Sequence, residues 1–127
     1  MKKILLIDDD QEDADILQDA LAEVSHDIDF SWHPGSEDIL RSMGKLGSLP
    51  DIIFLDINLG AIKGWEYLKD FKSNPELQHI PVIIYTTSSR VEERQIAGKL
   101  GAAGFIVKPW NYQSLIDLLI PIVHPLS

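Results

Sequence analysis

The chain contains no cysteine among its 127 residues. Disulfide bridges, thiolate metal ligands and thiol nucleophiles are therefore excluded, and the composition fits a reducing compartment. Long apolar runs are also missing. The opening segment MKKILLIDDD has too few apolar residues for a signal peptide, and no later run approaches the ~20 residues that a membrane-spanning helix needs. We therefore expect a soluble cytoplasmic protein.

Positive charge is scarce, since 11 lysines and arginines stand against 20 aspartates and glutamates, for a net charge of -9. No basic patch is available for a phosphate backbone or an anionic lipid surface, so we expect neither nucleic acid nor membrane as a partner. Cations and other proteins are the partners that this charge favours. The length and the 45% hydrophobic content fit one domain with a real core.

Five short apolar runs alternate along the chain with segments of helical spacing. The runs cover residues 4–7, 28–32, 52–55, 82–85 and 105–107, and most of them lack the alternation of a half-exposed strand. Such runs are typical of parallel strands that helices cover on both faces. The pattern predicts an α/β fold, a doubly wound five-stranded parallel sheet flanked by five helices.

The helix signals lie between these runs. Apolar residues recur at helical spacing over residues 13–24 and 64–72. Ser89 followed by Glu92 predicts a capping box that opens a helix through Leu100. Asn111 is placed to cap a last helix that begins at Tyr112.

Polar residues follow four of the five predicted strands. They are Asp8, Asp9 and Asp10 after the first strand, Asp56 after the third, Thr86 at the end of the fourth and Lys108 after the fifth. In a doubly wound sheet these strand ends share one edge, where ligands bind. Carboxylates ~4 Å apart repel by roughly 4 kcal/mol at an intermediate dielectric. A hard cation such as Mg2+ removes this repulsion and usually shares its coordination with phosphate.

These residue types suit phosphoryl transfer. Asp56 can serve as the nucleophile of an aspartyl phosphate, and Lys108 and Thr86 can hold phosphoryl oxygens. The plainer interpretation is that the acids form a solvated loop capping the first helix. Asp10 fits a cap or an outer acid better than a metal ligand, and Phe105 is also consistent with an ordinary core residue.

Taken together, the segments ILLIDDD, FLDINL, PVIIYTT and GFIVKP resemble the receiver domains of two-component response regulators, which have a flavodoxin-like fold. The resemblance covers essentially the whole chain, and we expect a single receiver domain over residues 1–127 without an output domain. It implies that Asp56 is the phosphoacceptor. It also implies an Mg2+ or Mn2+ site formed by Asp8, Asp9, Asp56 and the backbone carbonyl of Asn58.

The resemblance further implies a switch and a set of partners. Thr86, Lys108 and the aromatic Phe105 take the switch positions, and Gly64 matches the glycine that follows the phosphoacceptor. A cis peptide is expected before Pro109. The implied partners are a histidine kinase or histidine phosphotransfer protein, a downstream protein target, and a second copy through the fourth helix, fifth strand and fifth helix.

Three positions depart from the family pattern: Gly60, Thr87 and Phe105 itself. None of them removes a group that phosphorylation needs, and we expect a phosphoacceptor rather than an enzyme. Two alternatives stay open. One is an aspartyl-phosphate phosphatase of haloacid dehalogenase type, with Asp8 and Asp10 as its acids. The other is a receiver fold that binds partners independently of phosphorylation.

Overall fold

The computed structural model describes residues 2–35, 39–44, 49–59 and 62–126. Its main sheet has five parallel strands: β1 (Lys2–Ile7), β2 (Ile28–His33), β3 (Ile52–Leu55), β6 (Val82–Thr86) and β7 (Gly104–Val107). A separate two-stranded antiparallel hairpin pairs β4 (Asn58–Leu59) with β5 (Ile62–Lys63). The helices are α1 (Gln11–Val24), α2 (Ile39–Gly44), α3 (Gly64–Ser73), α4 (Val91–Lys99) and α5 (Tyr112–Val123), and a 3-10 turn (His124–Leu126) follows.

The strand order is β2-β1-β3-β6-β7, which confirms the predicted doubly wound sheet. The chain begins at β1, moves outward to β2, and then crosses to β3 on the other side of β1. Strand order therefore reverses between β1 and β3, and the crevice beyond their carboxyl ends is where such sheets bind ligands. Asp8 and Asp56 directly follow these two strands.

Both faces of the sheet are buried, because alternate strand residues enter two different cores. Leu5 and Leu55 belong to the core that α2, α3 and α4 cover, whereas Leu6 and Phe54 belong to the core under α1 and α5. This arrangement explains why the strands are apolar without alternation. It also fixes the strand ends rigidly, as a site built on them requires.

Helix α5 continues through Pro121, which lies two residues before its last residue, Val123. Asn111 is its N-cap, and the Asn111 side chain accepts a hydrogen bond of 2.7 Å from the backbone N–H of Ser114. The predicted cap is therefore confirmed. Among the described helices, none is long and apolar enough to cross a bilayer.

The predicted capping box of Ser89 and Glu92 is wrong by one residue. Helix α4 begins at Val91 with Arg90 as its N-cap, and the Arg90 side chain makes no capping hydrogen bond. The Ser88 hydroxyl instead donates to Glu93 Oε1 at 2.8 Å. Ser88 and Glu93 are five residues apart, whereas the two residues of a capping box are three apart, so this contact lies outside the capping-box pattern.

Two further expectations meet different outcomes. No peptide bond in the described part of the chain is cis, so the Lys108–Pro109 bond is trans and the expected cis peptide is wrong. Trans is the isomer that an X–Pro bond favours by about 0.5–1 kcal/mol without other constraints. Gly60, the first departure from the family pattern, lies outside the described residues.

Candidate functional site

Asp8 is completely buried at the end of β1. Its backbone N–H donates to the His33 carbonyl at 3.1 Å, which continues the pairing of β1 with β2. Its carbonyl oxygen accepts a 2.6 Å hydrogen bond from the indole nitrogen of Trp32. Its Oδ1 accepts from the backbone N–H of Asp10 at 3.0 Å. Hydrogen bonds within the protein thus hold both the backbone and the side chain of Asp8.

Asp10 caps α1, since its Oδ1 accepts from the backbone N–H of Glu12 at 2.9 Å. This outcome matches the interpretation of Asp10 as a cap. Asp9 lies between Asp8 and Asp10 and is exposed, so its carboxylate faces the solvent side of the site.

Asp56 follows β3 and is 6% exposed. Its backbone N–H donates to the Ile7 carbonyl at 2.9 Å, so β3 stays paired with β1 up to the site. Its Oδ1 accepts from the backbone N–H of Asn58 at 3.0 Å, a local turn that aims the carboxylate.

Lys108 follows β7 and links the acids. Its backbone N–H donates to the Thr86 carbonyl at 2.7 Å. Its ammonium donates to Asp8 Oδ2 at 2.8 Å, to Asp13 Oδ2 at 2.6 Å and to Asp56 Oδ2 at 3.1 Å. An ammonium has three N–H donors, and each of these carboxylates can accept one of them.

Asp13 is a site residue that the sequence interpretation did not single out. A signal was available: Asp13 stands four residues before Leu17, which is buried, and next to buried Ala14. An acid in register with the buried stripe of a helix, at the end nearest the sheet edge, points toward that edge.

The surroundings raise the pKa of both Lys108 and Asp8. Burial alone would lower the pKa of Lys108, but hydrogen bonds to Asp13 and Asp8 and the charge of Asp56 outweigh it and raise that pKa. Burial raises the pKa of Asp8, against the opposing contacts with Lys108 and Asp10. The Lys108 ammonium also lies 5.2 Å from the centre of the Tyr85 ring, and burial raises the pKa of Tyr85 to about 12.

Negative charge remains in excess at this edge. One ammonium faces Asp8, Asp13 and Asp56, and Asp9 stands beside them. Carboxylate oxygens of Asp8, Asp9 and Asp56 all lie within 4.8 Å of one another. Oxygen donors at this spacing, with two of the acids buried, fit a hard divalent cation. The predicted metal acids are therefore brought together.

Thr86 is fully buried, and its hydroxyl has two long contacts. The Asn58 side-chain amide donates to Thr86 Oγ1 at 3.4 Å, and the backbone N–H of Ser88 approaches the same atom at 3.4 Å. Both distances exceed the usual hydrogen-bond length, so the hydroxyl is weakly held. Asn58 connects Thr86 to Asp56, since its backbone N–H donates to Asp56 and its side-chain amide donates to Thr86.

Phe105 is half-buried on β7 and packs against the core under α2, α3 and α4. The guanidinium carbon of Arg94, on α4, lies 5.1 Å from the centre of the Phe105 ring, within the range of a cation–π contact. The structure thus places Phe105 both in the core and against the surface of α4.

A cavity of about 310 Å3 opens beside the ammonium. Asp13, Tyr85, Lys108, Trp110 and Tyr112 are among the residues that line it. Trp110 is fully exposed, so it does not pack between helix and sheet as a tryptophan usually would.

Comparison with known proteins agrees with this geometry. Residues 4–120 match the family of response regulator receiver domains. The chain is a receiver domain. Chemotaxis protein CheY-3 of Vibrio cholerae is 30% identical over 119 residues, which cover 92% of this receiver domain and 88% of that protein. The phosphoacceptor role in two-component signalling fits this relationship.

Solved structures agree at the level of the fold. The phosphorylated cyanobacterial phytochrome response regulator RcpA is 28% identical with a TM-score of 0.84, and the match covers 95% of this receiver domain and 90% of that chain. The Mn2+-bound response regulator Rcp1 is 28% identical with a TM-score of 0.80, over 96% and 91% of the two chains.

Some relatives are much longer. This receiver domain spans only 16% of a probable cyclic di-GMP phosphodiesterase of Vibrio cholerae, to which it is 38% identical over 74 residues.

Proposed function

We propose that Asp56 accepts a phosphoryl group from a histidine kinase or histidine phosphotransfer protein in the cytoplasm. The observation that carries this proposal is the buried contact of Lys108 with Asp56 and Asp8. These two acids cluster with Asp9 at a spacing that suits a cation. An Asp56 oxygen forms the new bond to phosphorus, the bond from phosphorus to the donor atom breaks, and its electron pair leaves with the donor. Lys108 then turns toward a phosphoryl oxygen.

A divalent cation, Mg2+ or Mn2+, supports this step. The residues that would hold it are Asp8, Asp9, Asp56 and the backbone carbonyl of Asn58. The bound ion would neutralise charge on the transferring group. The Mn2+-bound form of Rcp1, a relative with the same fold, supports such a site.

The switch follows from the weak hold on Thr86. In this structure the Thr86 hydroxyl oxygen accepts two long contacts of 3.4 Å, so its O–H can be donated to a phosphoryl oxygen on Asp56. Thr86 moves toward the phosphoryl group, Phe105 enters the space that it leaves, and the surface of α4, β7 and α5 repacks. This is a shift between two packings, driven by contacts that only one of them makes.

The test is phosphorylation by acetyl phosphate with Mg2+, detected by intact mass. The unaltered chain should gain one phosphoryl group and Asp56→Asn should gain none. Asp51→Asn is the matched control, because it makes the same change at the other end of β3, where Asp51 accepts a hydrogen bond from the Lys3 backbone at 2.7 Å. Equal labelling of Asp56→Asn and the unaltered chain would contradict the proposal.

The phosphatase alternative has no support in the geometry. Its second acid would be Asp10, which is exposed and caps α1. A domain that binds partners independently of phosphorylation would not need the buried Asp8, Asp56 and Thr86. We therefore propose a phosphoacceptor rather than an enzyme that turns over an external substrate.

The output surface is proposed to bind a downstream protein or a second copy of this chain. Exposed apolar side chains on α4 and α5 support this, namely Ile96, Leu118 and Ile120. Sedimentation with Mg2+, with and without beryllofluoride, tests the homodimer. A larger species should form only with beryllofluoride, and a monomer under both conditions would exclude it.

A further inference from the structure

Asp13 makes the shortest of the three contacts to the Lys108 ammonium, 2.6 Å against 2.8 Å for Asp8 and 3.1 Å for Asp56. Its side chain is 26% exposed, whereas that of Lys108 is 9% exposed. Asp13 thus closes the solvent side of the ammonium. It lies outside the set of acids whose oxygens cluster for a cation.

The other two acids, Asp8 and Asp56, make other contacts during phosphorylation. Asp56 becomes an acyl phosphate, and Asp8 is needed by the cation. Their contacts with Lys108 must therefore change as the reaction proceeds. Asp13 alone among the three can keep its contact throughout.

The backbone that carries Asp13 is fixed by packing. Ala14 and Leu17, which follow it on α1, are buried in the core under α1 and α5. The Tyr85 ring lies 5.2 Å from the ammonium and lines the same cavity as Asp13. A short charge-assisted hydrogen bond from a fixed backbone sets the position of a flexible lysine.

We propose that Asp13 is a positioning residue for phosphorylation. It anchors the Lys108 ammonium at the mouth of the site, so that Lys108 keeps one fixed partner when its contacts with Asp8 and Asp56 give way to the cation and the phosphoryl group. Without Asp13 the ammonium keeps only Asp8 and Asp56 as carboxylate partners, and it competes with the cation for both. This inference rests on the proposed function of Asp56.

A double-mutant cycle tests whether Asp13 acts through Lys108. Asp13→Asn keeps the size of the side chain and removes its charge, and we expect phosphorylation by acetyl phosphate to slow by about tenfold. The same substitution in a Lys108→Ala background should have no further effect. Asp15→Asn is the matched control, because it removes the same charge from an exposed position of the same helix.

A second readout does not depend on phosphorylation. The ammonium protons of a lysine give a 1H–15N NMR signal when hydrogen bonds slow their exchange with water, and Lys108→Ala identifies the signal of Lys108. Asp13→Asn should broaden or shift this signal in the absence of any cation or donor. Asp15→Asn should leave it unchanged.

The outcomes separate this inference from the proposed function. Asp56-dependent labelling of the unaltered chain, with Asp13→Asn as fast as Asp15→Asn, would overturn the role of Asp13 alone. Equal slowing by Asp13→Asn with and without Lys108 would show a general charge effect and would also overturn it. Absence of Asp56-dependent labelling would overturn the proposed function and this inference with it.

Discussion

A methyl group added at Gly64 should push directly on the backbone of Asp56, the proposed phosphoacceptor. Gly64 is the first residue of α3, and its backbone N–H donates to the Ile57 carbonyl at 2.9 Å. A Cβ atom at this position would lie 2.5 Å from the Asp56 carbonyl oxygen and 2.7 Å from the Ile57 Cα. Both neighbours are backbone atoms, so no side chain can rotate away to make room.

The sign of the effect distinguishes this clash from helix propensity. Alanine normally stabilises a helix relative to glycine by roughly 0.5–1 kcal/mol. Overpacking against a fixed backbone costs about 1–3 kcal/mol, so Gly64→Ala should lower the free energy of unfolding. Any relaxation must move the backbone of Asp56, and a misplacement approaching ~1 Å in a reacting group can slow a reaction about a hundredfold.

Urea unfolding and acetyl phosphate labelling measure the two effects on the same variant. Gly98→Ala on α4 is the matched control, because a Cβ atom there meets nothing within 4 Å. It should raise the free energy of unfolding and leave the labelling rate unchanged. A Gly64→Ala protein that is as stable as the unaltered chain and labels equally fast would refute the steric reasoning.

Three other substitutions give distinct signatures. Because burial raises the pKa of Tyr85 from 10.0 to about 12, its stabilising effect is complete below pH 10 and is lost as pH rises through 12. This loss amounts to roughly 3 kcal/mol. Between about pH 9 and about pH 11.5 the free energy of unfolding measured in urea should therefore fall less in Tyr85→Phe than in the unaltered chain, and an equal fall would contradict this reasoning. Asn111→Ala removes the cap on the Ser114 N–H and should cost about 1 kcal/mol of unfolding free energy in urea, while Asn111→Asp should retain it. Trp32→Phe removes the 2.6 Å hydrogen bond to the Asp8 carbonyl and should cost about 1 kcal/mol in the same assay, an idea that an unchanged midpoint would contradict.

The sheet and most of the acidic edge could be predicted because they follow from local pattern. Strands buried on both faces are apolar throughout, and parallel strands deliver the residues that follow them to one edge. Asp8 and Asp56 could therefore be placed together without knowing any contact. The clustering of Asp9 with them agrees with the same rule.

The remaining features depend on contacts that no local pattern specifies. The hairpin of Asn58–Leu59 with Ile62–Lys63 has only two residues a strand, too few for any period to show. Asp13 is in register with the buried stripe of α1, but its partner Lys108 is 95 residues away in the sequence, so the contact itself could not be predicted. The indole of Trp32 contacts the carbonyl of Asp8, the residue that follows the neighbouring strand, so this partner could be identified only once β1 and β2 are paired.

The contacts of Lys108 also tie signalling competence to the completion of folding. They span 100 residues to Asp8 and 52 to Asp56, and β7, which delivers the lysine, is an edge strand paired with β6. During synthesis the acids emerge early and repel one another until the last strand adds its ammonium. A chain in which β7 has not docked lacks this ammonium at the site, so the ability to accept a phosphoryl group depends on the last strand of the sheet being in place.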